Sequence, residues 1–106
     1  MLSKLPAECV VLLDAADLIE KDGHAKGTTR NGRGGMCVLG AINMAVHGDD
    51  HVHLYGITLA AVQRVAGYLR LNDPRDVVEW NNAKSQRKAR VVLAMRNAAL
   101  TTPEGK

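Results

Sequence analysis

A chain of 106 residues, 46% apolar and 24% charged, has room for one domain with a single modest core and for no second one. One Trp, two Tyr and no Phe leave that core to Leu, Val, Ile, Met and Ala, side chains that let helices approach closely. Two cysteines exclude a disulfide scaffold. The first apolar stretch, broken by Glu8 and Asp14, is neither a secretory leader nor a membrane span; one helical domain over 1–106, in the cytoplasm and off the membrane, is expected.

The net charge of +3 is a sum of blocks of opposite sign. Residues 1–22 hold two bases and five acids, 23–48 three bases and no acid, 49–79 three bases and five acids, and 80–103 five bases and no acid. Such segregation either orients a partner or pairs an acidic first helix with a basic last one inside the fold.

Pro6 suits a first helical turn and Gly23 an exit, which predicts a first helix over 6–22. Leu5, Cys9, Leu12, Leu13, Ala16 and Ile19 share its core face by 3.6-residue periodicity. Val11 and Leu18 form a thinner stripe on the far side, suited to contact with another chain such as a second copy. Residues 23–35 (GHAKGTTRNGRGG) are a basic loop with five glycines, in which Asn31-Gly32 marks a turn or short hairpin. The segment from Met36 to His47 is apolar all round except at Asn43, as a central buried helix is. Gly40, unfavourable in a helix by about 1 kcal/mol relative to Ala, implies close approach of a neighbour.

After a polar loop over 48–56, a third helix is predicted with Thr58 as N-cap and Val62, Val65, Ala66 and Leu69 buried. Asn72-Asp73-Pro74 stops it and starts a short fourth helix over 74–81, with Asp73 as cap. There Trp80 is expected to fill the core and Asn81 to end the helix. Ser85 is the expected cap of a last helix over 86–100, with Val91, Val92, Met95 and Ala99 inward and Arg87, Arg90 and Asn97 outward. A loose tail follows over 101–106. The fold class is all-α: four to five helices around a central apolar one, with one long Gly-rich loop.

Cys37 stands where a helix dipole and Arg30 or Arg33 favour a thiolate, which suggests a cysteine nucleophile with His24 or His47 as base. His47 lies ten residues along the same helix, roughly 15 Å away, and cannot serve; His24 reaches only if the loop folds back. A buried, inert thiol is the commoner state. His47, His51 and His53 beside Asp49 and Asp50 match no structural zinc spacing, and the GRGG loop is neither of the familiar phosphate cradles; neither a metal nor a cofactor is expected. Residues 58–82 have the look of a degenerate helix-turn-helix, but its second helix carries Asp76 and Glu79, which repel phosphates.

The "AADLIE…G" segment at Ala15–Gly23, the "C-x-x-G-A" segment at Cys37–Ala41 and the Trp80-Asn81 pair resemble those of a family of small uncharacterised proteins from actinobacteria and their phages. The loop glycine Gly27 belongs to the same pattern. The family often has Trp and Gln where this chain has His24 and Lys26, and Asp in place of Asn82. The resemblance covers nearly the whole chain and implies an actinobacterial or phage origin, with Gly27, Cys37, Gly40, Trp80 and Asn81 as structural positions. It implies no function.

The expected function is a non-enzymatic interaction protein that binds a host or phage macromolecule, a protein before a nucleic acid. Its binding residues would be Arg30, Arg33, Arg87, Arg90 and Arg96. A DNA-binding regulator built on 58–82 and a cysteine-dependent enzyme centred on Cys37 are the second and third expectations.

Overall fold

The structure, a computed structural model, describes residues 5–28, 30–49 and 53–101. Within them five α-helices follow in chain order: α1 (Ala7–Asp22), α2 (Val38–His47), α3 (Gly56–Leu69), α4 (Asp76–Asn82) and α5 (Lys88–Leu100). The only β pairing among the described residues is a pair of isolated bridges that join His24 and Arg30 to Met36. The expected all-α bundle is observed. The expected tail lies, beyond Thr101, outside the described residues, as do Asp50 and His51.

α1 packs against α5, α2 and α3, its contact with α5 being the most extensive of the helix pairs. Its expected face is buried through Cys9, Leu12, Ala16 and Ile19, and Ala15 joins it. Because three helices pack on α1, Val11, Leu13 and Leu18 are partly buried as well and pack on the core. The Val11/Leu18 stripe is therefore half-buried against the core, with only part of its surface left exposed. Leu5 precedes the helix and lies exposed, against the expectation that it would join the core.

α2 is buried from Val38 to Asn43, Gly40 included, so its first half does occupy the centre. From Met44 onward it is half-buried, and His47 is exposed. Asn43, the one polar break in its surface, is fully satisfied: Nδ2 donates to the Leu39 carbonyl at 2.9 Å and Oδ1 accepts from the His53 N–H at 2.8 Å. A buried amide must find such partners.

Three helix starts differ from expectation. α3 is entered at Tyr55, with Thr58 inside its first turn. The Thr58 hydroxyl turns back toward the carbonyls of His53 and Tyr55, at 2.5 and 2.6 Å, and lies 3.4 Å from the Tyr55 N–H, so it serves the helix entry from inside the first turn and not as the N-cap residue. α4 begins two residues after Pro74, because residues 73–76 first make a separate turn. There the Asp73 carboxylate accepts from the Arg75 N–H and its carbonyl from the Asp76 N–H, at 2.8 and 2.9 Å. α5 begins at Lys88 behind Arg87, which offers no side-chain cap. Ser85 lies instead within a turn closed by the Gln86 N–H on the Ala83 carbonyl.

The far end of α5 is held by Arg64 of α3. Its Nε donates to the Ala98 carbonyl at 2.8 Å and its Nη2 to the Thr101 carbonyl at 2.9 Å. Those carbonyls are among the four that a helix C-terminus leaves without partners.

Candidate interaction surface

The loop between α1 and α2 folds back on its own ends. The Met36 N–H donates to the Gly23 carbonyl at 2.9 Å and the Ala25 N–H to the Met36 carbonyl at 3.0 Å. Gly35 sits so close to this pairing that a Cβ there would meet the Gly23 and His24 backbone at 3.1 Å. At the tip, Asn31 makes the expected tight turn: its Oδ1 accepts from the Arg33 and Gly35 N–H groups at 2.9 and 2.8 Å.

Asn81 locks this loop to the bundle. Its Oδ1 accepts from the His24 ring at 2.8 Å and from the Val38 N–H at 3.1 Å; its Nδ2 donates to the Ala25 carbonyl at 3.0 Å and to Asn82 Oδ1 at 2.9 Å. The backbone partners fix which end of the amide is oxygen, so His24 Nε2 carries the hydrogen. Asn81 therefore does not end α4, as the sequence suggested. It faces inward beside Val77, one turn earlier, and joins three segments far apart in the chain. Trp80, off that inward line, is half-buried at the core's edge and does not fill it.

Asn82 and Lys84 extend the attachment outward. The Gly27 N–H donates to Asn82 Oδ1 at 2.8 Å, and Lys26 Nζ lies 3.4 Å from the Lys84 carbonyl. Gly27 holds φ at +77°, a conformation that favours glycine. The basic loop and the basic segment after α4, 55 residues apart at the Gly27–Asn82 bond, are thus tied together. Sequence periodicity could not reveal this.

The five arginines expected to bind a partner divide into two groups. Arg30, Arg33, Arg87 and Arg90 are exposed, and none forms an ion pair among the described residues. Arg96 is engaged within the fold: its Nη2 lies 2.7 Å from Asp17 and 2.6 Å from Glu20 of α1. Lys88 Nζ donates to the Glu20 carbonyl at 3.2 Å. The acidic first helix therefore neutralises one part of the basic last helix and leaves Arg87 and Arg90 without an ion pair among the described residues.

Cys37 is the N-cap of α2, its sulfur accepting from the Gly40 N–H at 3.3 Å. It is 8% exposed. Burial pushes the thiol above its ordinary pKa even though nearby backbone N–H groups favour the thiolate. The loop does fold back, yet the Nε2 of His24 bonds to Asn81, and no His24–Cys37 hydrogen bond is found among the described residues. At the far end of α2, the His47 and His53 rings meet with centroids 4.4 Å apart and planes tilted by 51°. No metal-binding group of three His, Cys, Asp or Glu side chains occurs among the described residues, and no helix there is long and apolar enough to cross a membrane.

Fold and surface together define a small all-α domain whose glycine-rich loop is pinned to its fourth helix by a buried asparagine. The chain belongs to DUF6197, a family of unknown function whose model matches residues 6–101. No curated protein and no solved structure matches it.

Proposed function

We propose that this is a non-enzymatic interaction protein of the cytoplasm, encoded by an actinobacterium or its phage, that binds an acidic host or phage protein. The origin rests on the resemblance of the Ala15–Gly23, Cys37–Ala41 and Trp80-Asn81 segments alone. The surface would combine the tip of the loop, with Arg30 and Arg33, and the start of α5, with Arg87 and Arg90. The observation that carries this reading is the contrast among arginines: Arg64, Arg75 and Arg96 have carboxylate partners within the fold, whereas these four have none among the described residues and gather on the loop tip and the start of α5; Arg70, also without an ion pair there, ends α3. Unpaired exposed charge costs solubility nothing and serves to steer an oppositely charged partner.

The DNA-binding alternative draws less support. α4, its would-be recognition helix, has seven residues, and its first turn carries Asp76 and Glu79. Arg75, at its start, is bound to Asp73 at 2.9 Å. A cysteine-dependent activity is opposed by the burial of Cys37 and its raised pKa.

Capture of partners from an actinobacterial lysate tests the proposal. The wild-type protein should retain one dominant acidic protein, released by moderate salt, and Arg87→Glu with Arg90→Glu should abolish retention. Unchanged retention by that variant would mean the surface is wrong. A mobility shift on duplex DNA that falls steeply with salt would favour the regulator instead.

A further inference from the structure

We infer that the outward face of α5 is a docking ridge for an acidic amphipathic helix, anchored on Leu93; this rests on the interaction reading above and narrows it to one face and one kind of partner. Leu93 and Leu100 are 59% and 64% exposed, on a helix whose other side supplies Val91 and Met95 to the core. At 100° per residue, Ala89, Leu93 and Leu100 fall within about 40° of one another, directly opposite those core residues. α5 is thus apolar on both sides, and only one is used by the fold.

Beside the ridge, toward the end of α1, runs a shallow groove of about 310 Å³ with Ala89, Val92 and Leu93 along it and Glu20, Lys88 and Arg96 at its rim. On the other side lie Arg90 and Asn97, the latter bonded to the half-exposed Tyr68 hydroxyl at 3.1 Å. An apolar centre with arginine and tyrosine at its border has the make-up of interface hot spots. From Ala89 to Leu100 the ridge is roughly 17 Å long, the length of three helical turns.

Charge selects the occupant. Residues 80–103 contain no acid, and Glu20, the carboxylate on the groove, is already held by Arg96, which also holds Asp17. A partner with acids flanking an apolar stripe complements this face. A second copy would set Arg87 and Arg90 against their own kind, and a nucleic acid has no use for Leu93 or Leu100.

The test uses a synthetic helical peptide with Leu at i, i+3, i+4 and i+7 and Glu elsewhere, beside a scrambled peptide of the same composition, with binding read by fluorescence anisotropy. The ordered peptide should bind about tenfold more tightly than the scrambled one, and Leu93→Ser should remove about that advantage. Leu93 is exposed, so the variant keeps its fold, checked by circular dichroism. Equal affinity for both peptides, or indifference to Leu93→Ser, overturns the ridge. If Arg87→Glu with Arg90→Glu still abolishes lysate capture, the interaction reading survives that result. Self-association abolished by Leu93→Ser, or binding to anionic phospholipid vesicles in preference to the peptide, also overturns the acidic-helix assignment.

Discussion

Asn81 Oδ1 accepts the backbone N–H of Val38 at 3.1 Å, so a side chain of α4 satisfies one of the free donors at the start of α2. The same oxygen holds His24, and the same amide nitrogen holds the Ala25 carbonyl. One buried amide therefore sets where the basic loop leaves the bundle and where the central helix begins.

Replacing Asn81 by Ala leaves the Val38 donor and the Ala25 carbonyl buried without partners. The expected loss is about 2–4 kcal/mol, measured by urea unfolding. Asn81→Asp keeps the acceptors but turns a negative oxygen toward the Ala25 carbonyl and Asn82, and should cost about as much. A variant as stable as wild type would show that the loop is held by something else.

Cys37 should resist iodoacetamide in the folded protein and react on unfolding, together with Cys9. Burial raises both thiols above their ordinary value of 9.0. Below that pH both states keep their protons; above it the unfolded chain releases them first, so stability should fall as pH rises past about 9. Cys37→Ser, which keeps an N-cap acceptor, should fold and show a shallower decline. Rapid alkylation near neutral pH would instead restore the case for a reactive thiol.

Arg64→Met removes the donors to Ala98 and Thr101 while keeping an apolar stem. The expected cost is about 1–2 kcal/mol, with faster amide exchange confined to the last turn of α5. Uniform loss of protection across the bundle would mean that Arg64 supports more than the helix end.

Arg70 closes α3 with φ at +61°, a conformation that crowds any Cβ. Arg70→Gly should therefore raise stability by about 0.5–1 kcal/mol, read as a higher urea midpoint. A lower midpoint would show that the arginine side chain contributes more than its backbone strain costs.

The helices were legible because each carries a 3.6-residue apolar stripe bounded by Pro, Gly or a polar turn, as α1 shows from Cys9 to Ile19. Their starts were less so, because Thr58 and Ser85 are good caps in isolation, yet Thr58 turns back to the residues before α3 and Ser85 falls within a separate turn. Asn81 left a signal in the sequence: it lies one turn after Val77, on the inward line of α4, where a polar residue implies a buried hydrogen bond. Its partners did not, since His24, Ala25 and Val38 are more than 40 residues away. The pairing of Arg96 with Asp17 and Glu20 was one of two readings that segregated charge allows, and only packing of α1 on α5 separates Arg96 from Arg87 and Arg90. Leu93 lies off the expected Val91, Val92, Met95 and Ala99 face by periodicity, but only the packing shows that no other element covers its side of α5.

In the proposed reading the loop tip and the start of α5 together meet the partner. Site-specific photo-crosslinking in an actinobacterial lysate tests it most directly, with the crosslinker placed in turn at positions 30, 87, 75 and 63. One dominant protein adduct is expected from positions 30 and 87 and none from 75, at the start of α4, or 63, on α3. Adducts from 75 or 63 without any from 87, or adducts to DNA alone, would contradict it.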